Sequence, residues 1–320
     1  MPRPPRRPRS TRAGFSLVEL LIAMVIGVLV LTSTTAFAMA SWKGLSANRQ
    51  REEVGRNARF LGMSLARDAQ MAGVGMTDQS DISSADFGWV RVRGDTLVVL
   101  AASRFPAPEF ALTPPTGAPN PITPLGEGTC GERCFDFAKQ AGGTTPDVEA
   151  GRVMLLGGAL PRRLGLVTAV DRRGAATDSF SVTLASLPTL FLTPHGLDGG
   201  LPLPHGAVLQ PLSAVAYWRQ DSTIMRAERY NADGSYRGEV MADGVEGWQV
   251  RLIFADGGEA AVANPADTAR AYNRIVSVVV RARLRSSYVD PRVNGGLPVA
   301  RDYEWRVTPR NLSYERNRLP

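Results

Sequence analysis

The sequence is poor in the residue types that most often carry enzyme chemistry or bind metals. Its 320 residues include two histidines and two cysteines. His195 and His205 each stand in a Pro-His-Gly setting, with neither the spacing of a metal pair nor a nucleophile motif nearby. No G-x-S-x-G, H-E-x-x-H or phosphate-binding loop occurs. We therefore expect both histidines to be loop residues, and we expect a protein without a cofactor that is not an enzyme.

The cysteines, Cys130 and Cys134, lie close together in a Gly/Pro-rich region. With no histidine near them, they make a poor zinc site. In an oxidising compartment the two thiols could close a small loop disulfide, and free thiols are the alternative. The sequence is compatible both with a disulfide and with free thiols.

The formal net charge of +7 could indicate a protein that binds nucleic acid, but the distribution of the charge does not favour this function. The first 14 residues contain no acidic residue and five arginines, and the rest of the chain carries only +2. These arginines mark the cytoplasmic side under the positive-inside rule, and they place the C-terminal bulk outside the cytoplasm. Lys43, Arg49 and Arg51 on the far side weaken the asymmetry. We expect no nucleic-acid partner.

Residues 15–42 form a long apolar stretch in which Glu19 is the only charged residue. As a helix this stretch is about 42 Å long, which exceeds the roughly 30 Å of bilayer hydrocarbon. It therefore predicts a membrane helix and a lipid bilayer as a partner. Two alternatives are a secretory signal cleaved at Ala36-Phe37-Ala38 or Ala38-Met39-Ala40, which leaves Glu19 unexplained, and a plain anchor with Glu19 near the interface.

Glu19 needs a reason to be in such a helix, because a charge at mid-bilayer costs roughly 2.5–3.5 kcal/mol. It lies one turn after Phe15. If the chain were cut between Gly14 and Phe15, the new α-amino group would lie at the helix N-terminus. The Glu19 carboxylate could then neutralise the corresponding amine of a neighbouring copy. This interpretation makes Glu19 an assembly residue.

Gly14-Phe15, Glu19, the basic leader and the apolar helix resemble the class III signal of type IV pilins and type II secretion pseudopilins. The resemblance implies that prepilin peptidase cleaves after Gly14 and methylates the new N-terminal Phe15. It also implies that the Glu19 carboxylate sets the register of subunits in a filament.

Beyond Trp42 the pattern becomes amphipathic, because apolar residues recur every three or four positions from Val54 to Ala72. We expect residues 43–75 to continue the helix as a pilin-like spine, with Gly44, Gly55 and Gly62 as sites where it could bend. Residues 76–320 are predicted to form a globular domain of antiparallel β-sheet. The Pro/Gly-rich segment at about 105–150 is predicted to be an insertion that cannot sustain ladder pairing between 105 and 128.

Within that domain the apolar runs predict short strands separated by turns. The predicted strands are Trp89 to Arg93, Thr96 to Ala101, Arg152 to Leu156, Leu164 to Val170, Ser179 to Leu184, Ala207 to Leu212, Val215 to Arg219, Ile224 to Arg229, Trp248 to Phe254, Ile275 to Leu284 and Tyr303 to Val307. The fold class is therefore α+β, with a long N-terminal helix packed on an antiparallel sheet.

Two further sets of residues could suggest binding. Asn231, Asp233 and Glu239 offer oxygen ligands for calcium, but Asp-Gly is first a turn signal and the spacing does not fit an EF-hand. We expect no metal site there. Trp218, Trp248 and Trp305 fall in predicted strands, so we expect core or sheet-face residues rather than a sugar platform.

Four stretches resemble the PilW-type minor pilins: 60–73, 214–226, 242–250 and 306–311. This resemblance implies a minor pilin that primes or caps a type IV pilus and serves twitching motility. It also implies an inner-membrane, single-pass location with a periplasmic C-terminal domain and entry into the extracellular pilus. The implied partners are prepilin peptidase, other minor and major pilins and the inner-membrane assembly platform. A minor pseudopilin of a type II secretion system and an anchored periplasmic binding or adhesive domain are the alternatives.

Overall fold

The structure, a computed structural model, describes most of the N-terminal helix and of the sheets. The described residues are 16–74, 88–102, 110–111, 134–138, 148–157, 163–171, 179–185, 208–231, 233–264 and 266–310. The architecture is a long N-terminal α-helix and an antiparallel β-sheet domain, so the predicted α+β class is confirmed.

Helix α1 runs without interruption over Leu17–Gln70, 54 residues in all. At 1.5 Å per residue it is about 81 Å long. The apolar run and the amphipathic stretch therefore form one helix, and none of the glycines at 44, 55 and 62 breaks it. After the helix, Gly73 adopts φ of 71°, a left-handed conformation that suits glycine. Its N–H donates to the Leu100 carbonyl at 2.8 Å, which attaches the helix end to the sheet.

Ten strands form the larger antiparallel sheet. They are β1 (Val90–Arg93), β2 (Thr96–Ala102), β3 (Phe110–Ala111), β4 (Cys134–Ala138), β5 (Val153–Gly157), β6 (Arg163–Asp171), β7 (Ser179–Ala185), β8 (Val208–Gln220), β9 (Thr223–Tyr230) and β10 (Tyr236–Ala242). The long strand β8 organises this sheet, because it pairs with β2 and β3 along one edge and with β5 and β9 along the other.

The smaller sheet contains β11 (Val245–Phe254), β12 (Glu259–Ala260), β13 (Ile275–Arg285) and β14 (Ala300–Val307), in the order β12-β11-β13-β14. One face contributes Trp248 and Ala282 to the core. The other face carries ion pairs. Arg281, for example, binds Glu304 at 2.7 Å and Glu259 at 3.0 Å.

A single hydrophobic core joins α1 to both sheets. The second half of α1 packs against β10, β13 and β14. Its buried positions recur every three or four residues, as the sequence predicts: Ser46, Gln50, Val54, Ala58, Leu61, Gly62, Leu65 and Ala69. The helix therefore lies across the sheets from about Ser46 onward, and its first half extends away from them.

Three details of the strands differ from the sequence prediction. The runs 207–212 and 215–219 belong to one strand, β8, which continues through Pro211 because the ladder on its β2/β3 edge is interrupted there. Strands β4, β10 and β12 have no counterpart in the predicted set, and β4 lies within the segment at about 105–150 that was predicted to be an insertion loop. In the Pro-rich segment predicted to make no ladder, Phe110 and Ala111 pair with Leu209 and Val208.

Candidate functional site: the N-terminal helix and its attachment

The first half of α1 is exposed along its whole circumference. Every residue from Leu17 to Leu45 is exposed, including Leu31 at 69% and Phe37 at 75%. Among the described residues, α1 is the one helix that is long and apolar enough to cross a membrane. An apolar surface of this size is not stable in water and requires lipid or other apolar helices around it.

Glu19 lies in the first turn of α1, where its side chain is exposed. A carboxylate is favourable at this place because the helix dipole is positive at the N-terminus. The next charged residue along the helix is Lys43. Gly14 and Phe15, the predicted cleavage and methylation residues, lie outside the described residues.

Four consecutive hydroxyl residues interrupt the apolar run without exposing unpaired groups. Thr32, Thr34 and Thr35 donate to carbonyl oxygens of the preceding turn at 2.6–3.0 Å. Ser33 donates to Val30 O at 2.9 Å. Because these hydroxyls are satisfied within the helix, they are compatible with an apolar environment.

A close approach of helix to sheet occurs where Gly62 faces Trp305. A Cβ atom on Gly62 would lie 2.6 Å from Trp305 Cδ1, which is far inside van der Waals contact. The glycine therefore leaves the space that the indole ring occupies. Trp305 in turn stacks on Tyr303 with 5.8 Å between ring centroids.

A polar cluster fastens the C-terminal end of α1 to β8 and β9. The Asp68 carboxylate accepts hydrogen bonds from the Tyr217 hydroxyl at 2.5 Å and from Arg226 Nε at 2.9 Å. The side chains of Asp68 and Arg226 are only 11% and 14% exposed. Arg226 also binds Glu228 and, at 3.4 Å, Glu239. We refer to Asp68, Tyr217 and Arg226 as the helix latch.

The contacts of the helix latch change the pKa of Tyr217 and that of Arg226. Burial and the negative charge of Asp68 raise the pKa of Tyr217 above its ordinary value, so the hydroxyl stays protonated and donates. Burial lowers the pKa of Arg226, but its hydrogen bonds to Asp68 and Glu228 outweigh burial and raise it. The cluster is thus a stable ion pair with a neutral tyrosine.

A second attachment lies near the middle of α1. Glu53 Oε1 accepts hydrogen bonds from the backbone N–H of Ser287, at 3.1 Å, and from its hydroxyl. Ser287 belongs to the loop between β13 and β14. Neither attachment could be predicted from the sequence, because the partners are far apart in the chain.

The other candidate residues are distributed over separate places. Cys134 lies in β4 opposite Thr183, while Cys130 is outside the described residues, so their pairing stays a prediction. His195 and His205 also lie outside them. Asp233 accepts hydrogen bonds from Ser235 within a turn, whereas Glu239 contacts Arg226. The described part of the chain contains no group of three or more acidic, histidine or cysteine residues that could hold a metal ion.

The three tryptophans predicted to belong to the sheet pack as side chains of the core. Trp218 stacks on Tyr236 with 4.5 Å between ring centroids. Trp248 is 7% exposed and donates from Nε1 to the Asp95 carbonyl at 2.7 Å, which links the two sheets. Trp218 and Trp305 are partly buried against the same core.

Comparison with protein families gives a match at the N-terminus. Residues 9–35 match the prokaryotic N-terminal methylation motif. This prepilin-type motif supports a type IV pilin-like or pseudopilin protein, which is a structural class rather than an enzymatic one. It implies processing by prepilin peptidase and association with other pilins. The apolar helix fits single-pass membrane anchoring with a C-terminal domain. No curated protein matches the chain.

Proposed function

We propose that this protein is a minor pilin of the PilW type that takes part in type IV pilus assembly. The observation that carries the proposal is the exposed apolar half of α1, which has one carboxylate, Glu19, in its first turn. A helix of this kind can lie in a bilayer and then exchange lipid for the helices of other subunits, since both surroundings are apolar.

In this proposal prepilin peptidase removes residues 1–14 and methylates Phe15. Residues 15–42 cross the inner membrane, residues 43–75 continue the spine, and residues 76–320 form the periplasmic domain, with an insertion at about 105–150. Glu19 neutralises the N-terminal amine of a neighbouring subunit, because an unpaired charge among apolar helices is unfavourable. The protein then primes or caps the filament together with other pilins.

The assignment to PilW-type pilins is supported by the order of four stretches in the chain. Phe60 to Gly73 supplies the end of α1 with its Asp68. Ala214 to Trp218 lies in β8 and contains Tyr217, the partner of Asp68. Ala242 to Val250 covers the β10–β11 connection and the first part of β11, and the fourth stretch begins at Arg306. The first two stretches meet in the helix latch, where Tyr217 and Arg226 bind Asp68.

A minor pseudopilin of a type II secretion system is the second candidate, because the methylation motif is common to both machines. Deletion of the gene would abolish twitching motility or DNA uptake in the first case and exoprotein release in the second. An anchored binding or adhesive domain is the remaining alternative, and it requires no assembly through Glu19.

The decisive experiment is mass spectrometry of the mature N-terminus, on membrane-extracted protein from cells with and without prepilin peptidase. We expect a peptide that begins at methylated Phe15 and is absent without the peptidase. A mature protein that begins at Met39 or Ser41, or that keeps its leader, would contradict the proposal.

The role of Glu19 is tested separately in cells. Glu19→Leu is expected to keep the protein in the membrane fraction but to abolish its recovery with sheared pili. Met24→Leu, an exposed apolar exchange in the same helix, is the control and should assemble normally. Normal assembly of Glu19→Leu would favour the plain anchor.

A further inference from the structure

The connection between β13 and β14 is a closed loop that packs on α1 where the apolar run ends. We call residues 286–299 the basal loop. Its two ends are joined, because Ser286 N donates to Val299 O at 2.9 Å and Val299 N donates to Ser286 Oγ at 3.1 Å. Its length is that of a compact Ω loop, a type that often carries function.

Contacts with α1 show the direction in which the basal loop runs. Ser287 lies beside Glu53, which accepts its N–H. The backbone N–H of Arg292 and then the nearby Ser46 hydroxyl lower the pKa of Asp290. Among the described residues the Ser46 hydroxyl has no hydrogen-bond partner, so Asp290 lies near Ser46 without a hydrogen bond between them. From Glu53 back to Ser46 is about 10 Å along the helix axis, which three extended residues can span.

The basal loop therefore descends toward the first half of α1. Lys43, the first charge after Glu19, is about 4.5 Å along the axis from Ser46. The polar headgroup layer of a bilayer is about 5–8 Å thick on each side, from its total and hydrocarbon thicknesses. With the apolar run across the membrane, Asp290 thus lies at the depth of the headgroups.

The side chains of the basal loop suit that position. Tyr288, Val289 and Leu297 are 55%, 38% and 64% exposed, which concentrates apolar surface on this one loop. Tyrosine is enriched at membrane interfaces, where the ring is apolar and the hydroxyl is hydrated. Three successive residues with positive φ, Asn294 to Gly296, come directly before the exposed Leu297.

The charges around the basal loop favour anionic lipid. Arg292 is exposed on the loop, and α1 carries Lys43, Arg49 and Arg51 before the first acidic residues that follow the apolar run, Glu52 and Glu53. Glu53 accepts a hydrogen bond from Ser287. Asp290, the acidic residue of the loop, already accepts the Arg292 N–H at 2.9 Å. Basic side chains near a membrane surface bind phosphate headgroups and anionic lipids, while apolar neighbours enter the interface.

From this arrangement we propose that the basal loop rests on the outer surface of the membrane that α1 crosses, with Tyr288, Val289 and Leu297 in the headgroup layer and Arg292 on anionic phospholipid. The inference rests on the proposed membrane anchoring. Its consequence is that the globular domain is held against the bilayer in a fixed orientation, and this contact must break when the subunit leaves the membrane for a filament.

The test uses the full chain, with Cys130 and Cys134 replaced by serine, reconstituted in vesicles of phosphatidylethanolamine and phosphatidylglycerol. An environment-sensitive fluorophore is attached at Leu297→Cys. The matched control is Val262→Cys, an exposed valine two residues after β12. Strand β12 lies at the end of the small sheet where β13 begins, and β13 is about 34 Å long by the rise of ten strand residues. We expect headgroup-level nitroxide lipids to quench the label at 297 several-fold more than the label at 262.

Equal quenching at 297 and 262, in protein that floats with the vesicles, would overturn the inference and leave the membrane anchor intact. Protein that does not float with vesicles would overturn the anchor as well. The inference is supported if the label at 297 is quenched in detergent-free vesicles without other pilins and this quenching is lost when other pilins are added. If the label at 297 is shielded from an aqueous quencher only when other pilins are present, the surface binds a protein. That result would contradict the inference.

A measurement without labels guards against an effect of the substitutions. Hydrogen exchange of the unmodified full chain should be several-fold slower for amides 288–297 in anionic vesicles than in phosphatidylcholine vesicles. The turn at 255–258, at the opposite end of the small sheet, should exchange equally in both. Equal exchange of the basal loop in the two lipids would contradict the role of Arg292.

Discussion

The Asp68 carboxylate accepts a hydrogen bond from the Tyr217 hydroxyl at 2.5 Å, although the two residues are 149 positions apart. Arg226 Nε donates to the same carboxylate oxygen and also lies 3.1 Å from the Tyr217 hydroxyl. The contact fixes the last turns of α1 on the larger sheet. The first half of α1 extends from the domain, so a force on it is transmitted to the domain. The hydrogen bonds of the helix latch have a defined geometry, and they therefore restrict how far α1 can slide along the sheet.

We expect Asp68→Ala to destabilise the domain by about 2–3 kcal/mol, the range for hydrogen bonds to charged groups, because Tyr217 and Arg226 lose a shared buried acceptor. Chemical denaturation of the full chain in detergent measures the effect. Asp302→Ala is the matched control, since the Asp302 side chain is 76% exposed in its pair with Arg283 and should cost less than about 1 kcal/mol. Equal effects of the two variants would show that the helix latch contributes no special stability.

Two glycines of α1 are expected to respond in opposite directions to alanine. Gly62→Ala places a methyl group against Trp305, and such overpacking costs about 1–3 kcal/mol, more than the gain in helix propensity. Gly55→Ala meets no atom within 4 Å and should stabilise by about 1 kcal/mol through propensity alone. Thermal unfolding of both variants checks the prediction. Stabilisation by Gly62→Ala would mean that Trp305 can move aside.

The parts of the fold that could be predicted are those that a pattern of neighbouring residues in the sequence specifies. The apolar run and the three-to-four-residue period specified α1, and the Gly94-Asp95 turn specified the β1–β2 hairpin. Strand β10 lacked such a signal because it is an exposed edge strand, with a register shift at Gly238. That glycine has a packing role which becomes visible only in three dimensions, since a Cβ there would lie 3.0 Å from Trp218 Cζ2.

The residues of the candidate site also fall into those that the sequence could predict and those that it could not. Glu19 is notable in the sequence because a charge in an apolar run is unusual at any fold. Asp68 and Arg226 are ordinary charged residues in their own segments, and their role arises only when α1 meets β9. No local pattern distinguishes them from solvent-exposed charges, so the helix latch could not be predicted without the tertiary structure.

The stability of the domain is expected to fall above about pH 10, the ordinary pKa of tyrosine. Burial raises the pKa of Tyr230, so the unfolded chain loses this proton in a range where the folded chain keeps it. Stability due to Tyr230 is complete below about pH 10 and declines above it by up to about 1.4 kcal/mol per pH unit. Tyr217, whose pKa is also raised, adds to the decline.

Tyr230→Phe tests this dependence. The variant loses the hydrogen bond from the Tyr230 hydroxyl to Ala214 O, at 3.2 Å, and should be about 1 kcal/mol less stable at neutral pH. Above about pH 10 its stability should fall less steeply than that of the wild type. Tyr288→Phe, at a 55% exposed position, should leave the slope unchanged. Parallel pH profiles for wild type and Tyr230→Phe would contradict the assignment.

Gln50 lies on the face of α1 that packs into the domain. Its side chain is fully buried, and within the described part of the chain neither its amide oxygen nor its amide nitrogen has a hydrogen-bond partner. A buried unpaired polar group costs about 1–3 kcal/mol, so Gln50→Met, which keeps the length of the side chain, should stabilise the domain by a similar amount.

Denaturation of Gln50→Met and of Gln249→Met, an exchange at an exposed position of β11, separates the effect of burial from that of the side chain itself. The exposed exchange should change stability by less than about 0.5 kcal/mol. Destabilisation by Gln50→Met would show that the amide is satisfied in solution, for which a buried water with two or more polar partners is the simplest physical means. A gain in stability would instead show that the buried amide of Gln50 is unpaired in the folded protein and lowers its stability.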